Sequence, residues 1–178
     1  MAMHSVLVVG CGSIGERHLR CFQKTGRAAV TGCDPSDSLR ATIAETYEVP
    51  THADFATALT SDIDAVVICT PPPLHVPMAR AALQASKHVL IEKPLAADFT
   101  GVAELLDDEA KSDRSVAVAY VQHVYPFLQA ARRFLQEGTL GPVKHVTFIG
   151  GSHFPTGRPA HTVHYADTYY ARRSTGGG

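Results

Sequence analysis

Charge of either sign is not in excess: sixteen Lys plus Arg stand against seventeen Asp plus Glu in 178 residues. No like-charge run is long enough to track a phosphate backbone, so nucleic acid and an anionic membrane surface are not expected partners. Nor does any apolar run approach the roughly 20 residues that cross a bilayer, which excludes insertion as a helix. The opening residues Met1 to Ser5 pass straight into Val6 to Val9, without the cationic segment, apolar stretch and cleavage site of an exported chain. A cytoplasmic protein is the expectation. Cysteine is sparse, and Cys11, Cys21, Cys33 and Cys69 form no Cys-x-x-Cys pair. They read as reduced core or turn residues rather than metal ligands or disulfide partners. Internal repeats are lacking too, and the only biased tract is Gly176-Gly177-Gly178.

What is present is alternation. Strand-like apolar runs at Val6 to Val9, Ala28 to Cys33, Ala65 to Cys69, Val89 to Glu92 and Val116 to Tyr120 take turns with helix-period segments. Those segments are Ile14 to Lys24, Ser38 to Tyr47, Val76 to Ala85 and Thr100 to Ala110. Runs such as Val-Leu-Val-Val suit strands covered on both faces, and strand-helix alternation predicts parallel strands joined by right-handed crossovers. The expected fold is therefore α/β, a Rossmann-type doubly wound parallel sheet over residues 1–121. Residues 122–178 then read as the incomplete beginning of an α+β substrate domain. A helix is expected after Pro126, with Phe127, Ala131, Phe134 and Leu135 on one face and Gly138 as its stop. A strand from Val143 to Ile149 should follow it.

Gly10-Cys11-Gly12-Ser13-Ile14-Gly15 is a G-x-G-x-x-G sequence set between a predicted strand and a predicted helix, the context in which that pattern acquires meaning. Gly10 permits the tight turn, Gly12 lets backbone approach a diphosphate, and Gly15 lets the helix pack closely on the sheet. The amides at the helix start then face the phosphates. Asp34, nineteen positions beyond Gly15, stands where a carboxylate can accept from the adenosine ribose hydroxyls. That favours NAD over NADP, although Arg40 nearby blunts the preference and keeps NADP possible. Asp34-Pro35-Ser36 equally suits a turn and helix cap. Thr70, Pro71 and His75 belong to a proline-stiffened loop at the carboxyl edge of the sheet, where open α/β folds bind ligands. The run His88 to Pro94 is apolar until it delivers Glu92 and Lys93. A lysine there can bond a substrate hydroxyl, steady an oxyanion or exchange a proton, whereas a lone lysine at a strand end is more often merely solvated. The His153, His161 and His164 set lacks the accompanying ligands of a metal site, and none is expected.

Taken in order, GCGSIGERH from Gly10, Asp34, IDAVVICTPPPLH from Ile63 and HVLIEKPLA from His88 resemble the Gfo/Idh/MocA oxidoreductases. HVYP from His123 and EGTLGPVKHVTF from Glu137 are similar to the entry of that family's second domain. The resemblance implies that Lys93 is catalytic and that residues 10–15 and Asp34 hold the cofactor, with Thr70, Pro71, His75 and Glu92 beside it. Hydride would move at a carbon of a sugar, cyclitol or sugar derivative, with NAD or NADP. Two other readings stay open: an NAD(P)-binding sensor without chemistry, and NAD-assisted glycoside cleavage. Where many relatives carry an arginine, this chain has Gln122-His123. His123, Arg158 and Tyr169 are the candidate substrate contacts, since aromatic faces and guanidinium forks suit polyhydroxylated ligands. The family's triple glycine normally precedes an aspartate and a histidine that act with the lysine. The expectation is therefore a fragment that binds cofactor with little turnover, from a protein that in full forms a homo-oligomer.

Overall fold

The computed structural model describes residues 3–60, 62–150, 164–168 and 171–173. By its internal contacts the chain forms two units, one of residues 1–119 together with 169–178 and the other of residues 120–168.

In the first unit, six strands form one sheet in the order β3-β2-β1-β4-β5-β6. They are β1 His4–Val9, β2 Ala28–Cys33, β3 Thr51–His52, β4 Ala65–Ile68, β5 His88–Ile91 and β6 Val116–Val118. Every pairing is parallel. Helices α1 Ser13–Lys24, α2 Asp37–Tyr47, α3 Phe55–Ala58, α4 His75–Gln84 and α5 Val102–Ala110 connect them.

Successive side chains of a strand point to opposite faces, and both faces of β1 are buried. Leu7 and Val9 join Val66, Ile68, Val89 and Ile91 under α4 and α5, where Ala79, Ala82, Leu83 and Leu105 close the layer. Val6 and Val8 face the other way, onto Leu19 of α1 and Ile43 of α2, with Val30 and Val67. This two-sided burial explains why the central strands carry unbroken apolar runs. The doubly wound sheet expected from alternation is the one observed.

Helix ends follow local chemistry. Ser36 caps α2 by accepting from the Leu39 amide, and Asp54 caps α3 by accepting from the Thr57 amide at 2.9 Å. Glu48, in the left-handed conformation, ends α2.

Two elements were not expected. β3 has two residues, pairing Gly32 with Thr51 and Cys33 with His52, and α3 is a single turn. Neither is long enough to show a period in sequence.

The second unit contains α6 Pro126–Gln136, opened by proline at its first turn, with Gly138 at φ +73° just past its end. The strand expected from Val143 to Ile149 does not form. No strand of the described residues pairs with it, and Val146, Phe148 and Ile149 are 75%, 82% and 92% exposed. An apolar alternating run becomes a strand only when a neighbour satisfies its backbone.

Candidate functional site

Strand register sets the site. Val9 is level with Cys33 on one side and Ile68 on the other, and Ile68 is level with Ile91. The residues that follow these positions therefore leave the sheet along one carboxyl edge: Asp34 from β2, the glycine loop from β1, Cys69-Thr70-Pro71 from β4, and Glu92-Lys93 from β5. The glycine loop and Lys93 are on the same rim, separated by two strand spacings of about 5 Å each.

Each glycine of the loop has a separate reason. Gly10 has φ +88°, and a Cβ on it would stand 2.8 Å from the carbonyl of Cys69 at the end of β4. A Cβ on Gly15 would be 1.7 Å from the Gly10 carbonyl oxygen, so α1 can start where it does only if that position is bare. Gly12 is different: a Cβ there would meet nothing within 4 Å. Its side faces open space at the start of α1, whose first turn carries no side-chain cap. Uncapped helix-start amides beside open space are the donors that an anionic ligand needs.

Asp34 is buried, and both of its carboxylate oxygens are engaged. Oδ2 accepts from the Cys11 amide at 2.8 Å and Oδ1 from the Ser36 amide at 2.8 Å. The carboxylate thereby holds the glycine loop to the β2–α2 turn, and each oxygen keeps a further lone pair. Of the two sequence readings of Asp34, the turn role is the one these bonds display. Arg40 is turned back on the same turn, donating to the Asp34 carbonyl at 2.7 Å and pairing with Asp37.

Between β2, β1 and β4 opens a cavity of ≈ 440 Å³. Val9, Gly10, Gly12, Asp34, Thr70 and Pro71 line it, with Leu39, Phe55, Leu74 and Met78 making its apolar wall. Sequence reasoning missed that wall. Phe55 belongs to the unexpected α3, Leu39 and Met78 read from sequence as ordinary helix residues, and Leu74 fell within the proline-stiffened loop without being singled out. Cys33 also lines it, and its thiol is pushed up to about 11, by burial first and then by the Asp34 carboxylate. The same two causes push Cys11 up to about 12.

His75 is placed behind this rim. It is 1% exposed, with Nδ1 2.8 Å from the Pro94 carbonyl and Nε2 2.7 Å from the Thr70 carbonyl. Glu92 lies under Lys93: Oε2 accepts from the Lys93 amide at 3.1 Å, and Oε1 lies 2.7 Å from Nε2 of His18 on α1. Burial works against its charge, yet the His18 hydrogen bond, the Lys93 amide and the nearby positive groups outweigh it and hold the carboxyl below its ordinary value. An ionised carboxylate only accepts, so His18 Nε2 is the donor. Lys93 itself is exposed. His123 falls in the second unit, in a short 3₁₀ turn over Val121–Val124, its ring 6.0 Å from that of Tyr120. Arg158 and Tyr169 lie outside the described residues.

Residues 4–120 match the oxidoreductase family with an NAD-binding Rossmann fold, Gfo/Idh/MocA. Inositol 2-dehydrogenase of Rhizobium meliloti is 28% identical over 141 residues, which is 79% of this chain and 43% of that protein. The WlbA dehydrogenase of Chromobacterium violaceum, solved with NADH and UDP-GlcNAcA, is 26% identical with a TM-score of 0.74, over 79% of this chain and 42% of that one. Biliverdin reductase of Synechocystis, solved with biliverdin and NADP+, is 29% identical with a TM-score of 0.66, over 74% and 42%. The chain thus spans less than half the length of these relatives.

Proposed function

The chain belongs to the Gfo/Idh/MocA family of NAD-binding oxidoreductases, and on that premise we propose that the whole protein is a dehydrogenase acting on a hydroxyl-bearing carbon of a sugar, polyol or sugar derivative. One observation carries the reading: the order of groups along the carboxyl edge. Asp34, the glycine loop, the Thr70-Pro71 loop and Lys93 succeed one another from β2 to β5, the sequence of contacts an extended dinucleotide requires.

The residues present fit such a cofactor. The apolar wall of Leu39, Phe55 and Leu74 suits an adenine ring, and Asp34 can accept from the ribose hydroxyls beside it. The uncapped amides at the start of α1 suit the diphosphate, and the open side of Gly12 lets it come close. Bound there, the nicotinamide supplies the hydride acceptor or donor. Lys93 is the chain's own contribution to the reaction: at the far end of the edge its ammonium would donate to the substrate hydroxyl oxygen and steady the negative charge that develops there as the carbon gives up hydride. NAD is the cofactor favoured by the carboxylate at Asp34. The substrate class follows the relatives named above, of which one acts on inositol by its name and another is solved with a sugar nucleotide.

The test is nicotinamide reduction by the whole protein offered NAD with a panel of inositols, sugars and sugar nucleotides. Reduction with at least one of them is expected. Lys93→Met should lower kcat by about 10²- to 10³-fold, the range of a lost donor to a developing oxyanion, with NADH affinity retained. Unaltered kcat in that variant would remove Lys93 from the chemistry.

A further inference from the structure

We infer that His18 and His75 are positioning residues, two braces that fix the backbone on either side of Lys93 to the two segments lining the cofactor site. The inference rests on the dehydrogenase reading only for what Lys93 does; the braces themselves are geometry.

Lys93 is exposed and stands beyond the last ladder position of β5. A long, mobile side chain at such a place is held only as well as its backbone. On the amino side, the Lys93 amide donates to Glu92 Oε2 at 3.1 Å, Glu92 Oε1 accepts from His18 Nε2 at 2.7 Å, and the Glu92 amide donates to the Ile68 carbonyl at 2.9 Å. His18 lies on α1, three positions past Gly15, with its ring stacked on Phe22 at 6.5 Å. The chain of contacts therefore runs from the helix that starts at the glycine loop to the lysine. On the carboxyl side, the Pro94 carbonyl lies 2.8 Å from His75 Nδ1, while His75 Nε2 lies 2.7 Å from the carbonyl of Thr70, which lines the cavity. Neither imidazole lines that cavity, and each meets a chain neighbour of Lys93, His18 at Glu92 and His75 at Pro94.

Stability alone is a poor reason for the first brace. The His18–Glu92 hydrogen bond is sheltered, at 18% and 12% side-chain exposure, and a sheltered polar pair contributes little net stability compared with apolar packing of the same volume. What the pair does supply is direction: three bonds on one residue leave the 92–93 peptide a single orientation. Placement at this accuracy matters, because a reacting group misplaced by about 1 Å can lose about 10²-fold in rate.

The variants are His18→Ala, His18→Gln, which keeps a donor at the Nε2 position, and His75→Gln, whose single amide cannot span the Thr70 and Pro94 carbonyls as the two ring nitrogens do. Three readouts separate positioning from general support: hydrogen exchange at the Lys93 amide, NADH affinity, and kcat against KM in the whole protein. His18→Ala should speed exchange at the Lys93 amide and lower kcat, each by about tenfold, the scale of one lost charge-assisted bond. Its NADH affinity and the exchange of β1 amides should be unchanged, His18→Gln should restore both losses, and His75→Gln should lower kcat with the KM for NAD unchanged. Lys93 exchange unaffected in His18→Ala, or losses that follow global unfolding and escape rescue by Gln, would overturn the inference. Absence of turnover in the unaltered protein would count against the dehydrogenase reading instead, and the exchange result at Lys93 would still decide the braces.

Discussion

At the scale of single residues, the site is held by groups that a residue type alone describes poorly. Asp34 reads from sequence as a ribose acceptor, and in the fold its two oxygens tie the glycine loop to the β2–α2 turn. Asp34→Ala is therefore expected to lose stability as well as affinity. The loss should be about 1 to 3 kcal/mol in denaturant titration, because the Cys11 and Ser36 amides lose their acceptor. Gly15→Ala should be worse tolerated than Gly12→Ala in the same measurement, since only at Gly15 would the new methyl collide with a carbonyl, at 1.7 Å, against open space at Gly12. Glu92 sets an acid limit. Its folded-state carboxyl lies below the ordinary 4.5, so its ionised form stabilises the fold fully above that pH and the contribution disappears as pH falls through the lowered value. The stability difference between the natural protein and Glu92→Gln should thus shrink below pH 4.5, and a difference that stayed constant into acid would contradict the assignment. The raised thiols of Cys11 and Cys33 and the exposed position of Cys21 imply that a brief alkylation at neutral pH modifies Cys21 and spares the other two, as peptide mass mapping would show.

At the scale of elements, the sequence spoke clearly wherever a segment was long enough to repeat its own period. The four long helices of the sheet unit and the apolar strands fall within a residue or two of their expected bounds. The misses have one physical origin, dependence on partners distant in the chain. β3 is two residues whose strand character comes from Gly32 and Cys33 across the ladder. α3 is a single turn stabilised by the Asp54 cap. Residues 143–149 fail in the opposite direction: their alternation is right for a strand and no described neighbour completes it. Because α3 brings Phe55 to the cavity, Asp54→Ala should cost about 1 kcal/mol of local stability and weaken NADH binding through the adenine side. Exchange rates at the Thr57 and Ala58 amides would report the first effect and a titration the second.

At the scale of the whole molecule, the groups that meet along the carboxyl edge could be picked out in the sequence because they mark themselves: bare glycines between strand and helix, an acid after the second strand, a lysine after an apolar run. The supports could not. His18 and Glu92 are 74 positions apart, and nothing in either local sequence says that α1 passes beneath the end of β5. The burial of His75 could not be read either, because the loop that carries it folds inward toward two carbonyls from distant and neighbouring segments. In the proposed complex a dinucleotide lies along the carboxyl edge from β2 to β5, with Lys93 at its reacting end. Amide chemical-shift mapping during an NADH titration tests this most directly. Saturable shifts at Gly10 to Gly15, Asp34, Thr70 and Lys93 are expected together, with the amino-terminal edge around Ser5, His88 and Ser115 unmoved. Shifts confined to that opposite edge, or none at saturating NADH, would contradict it.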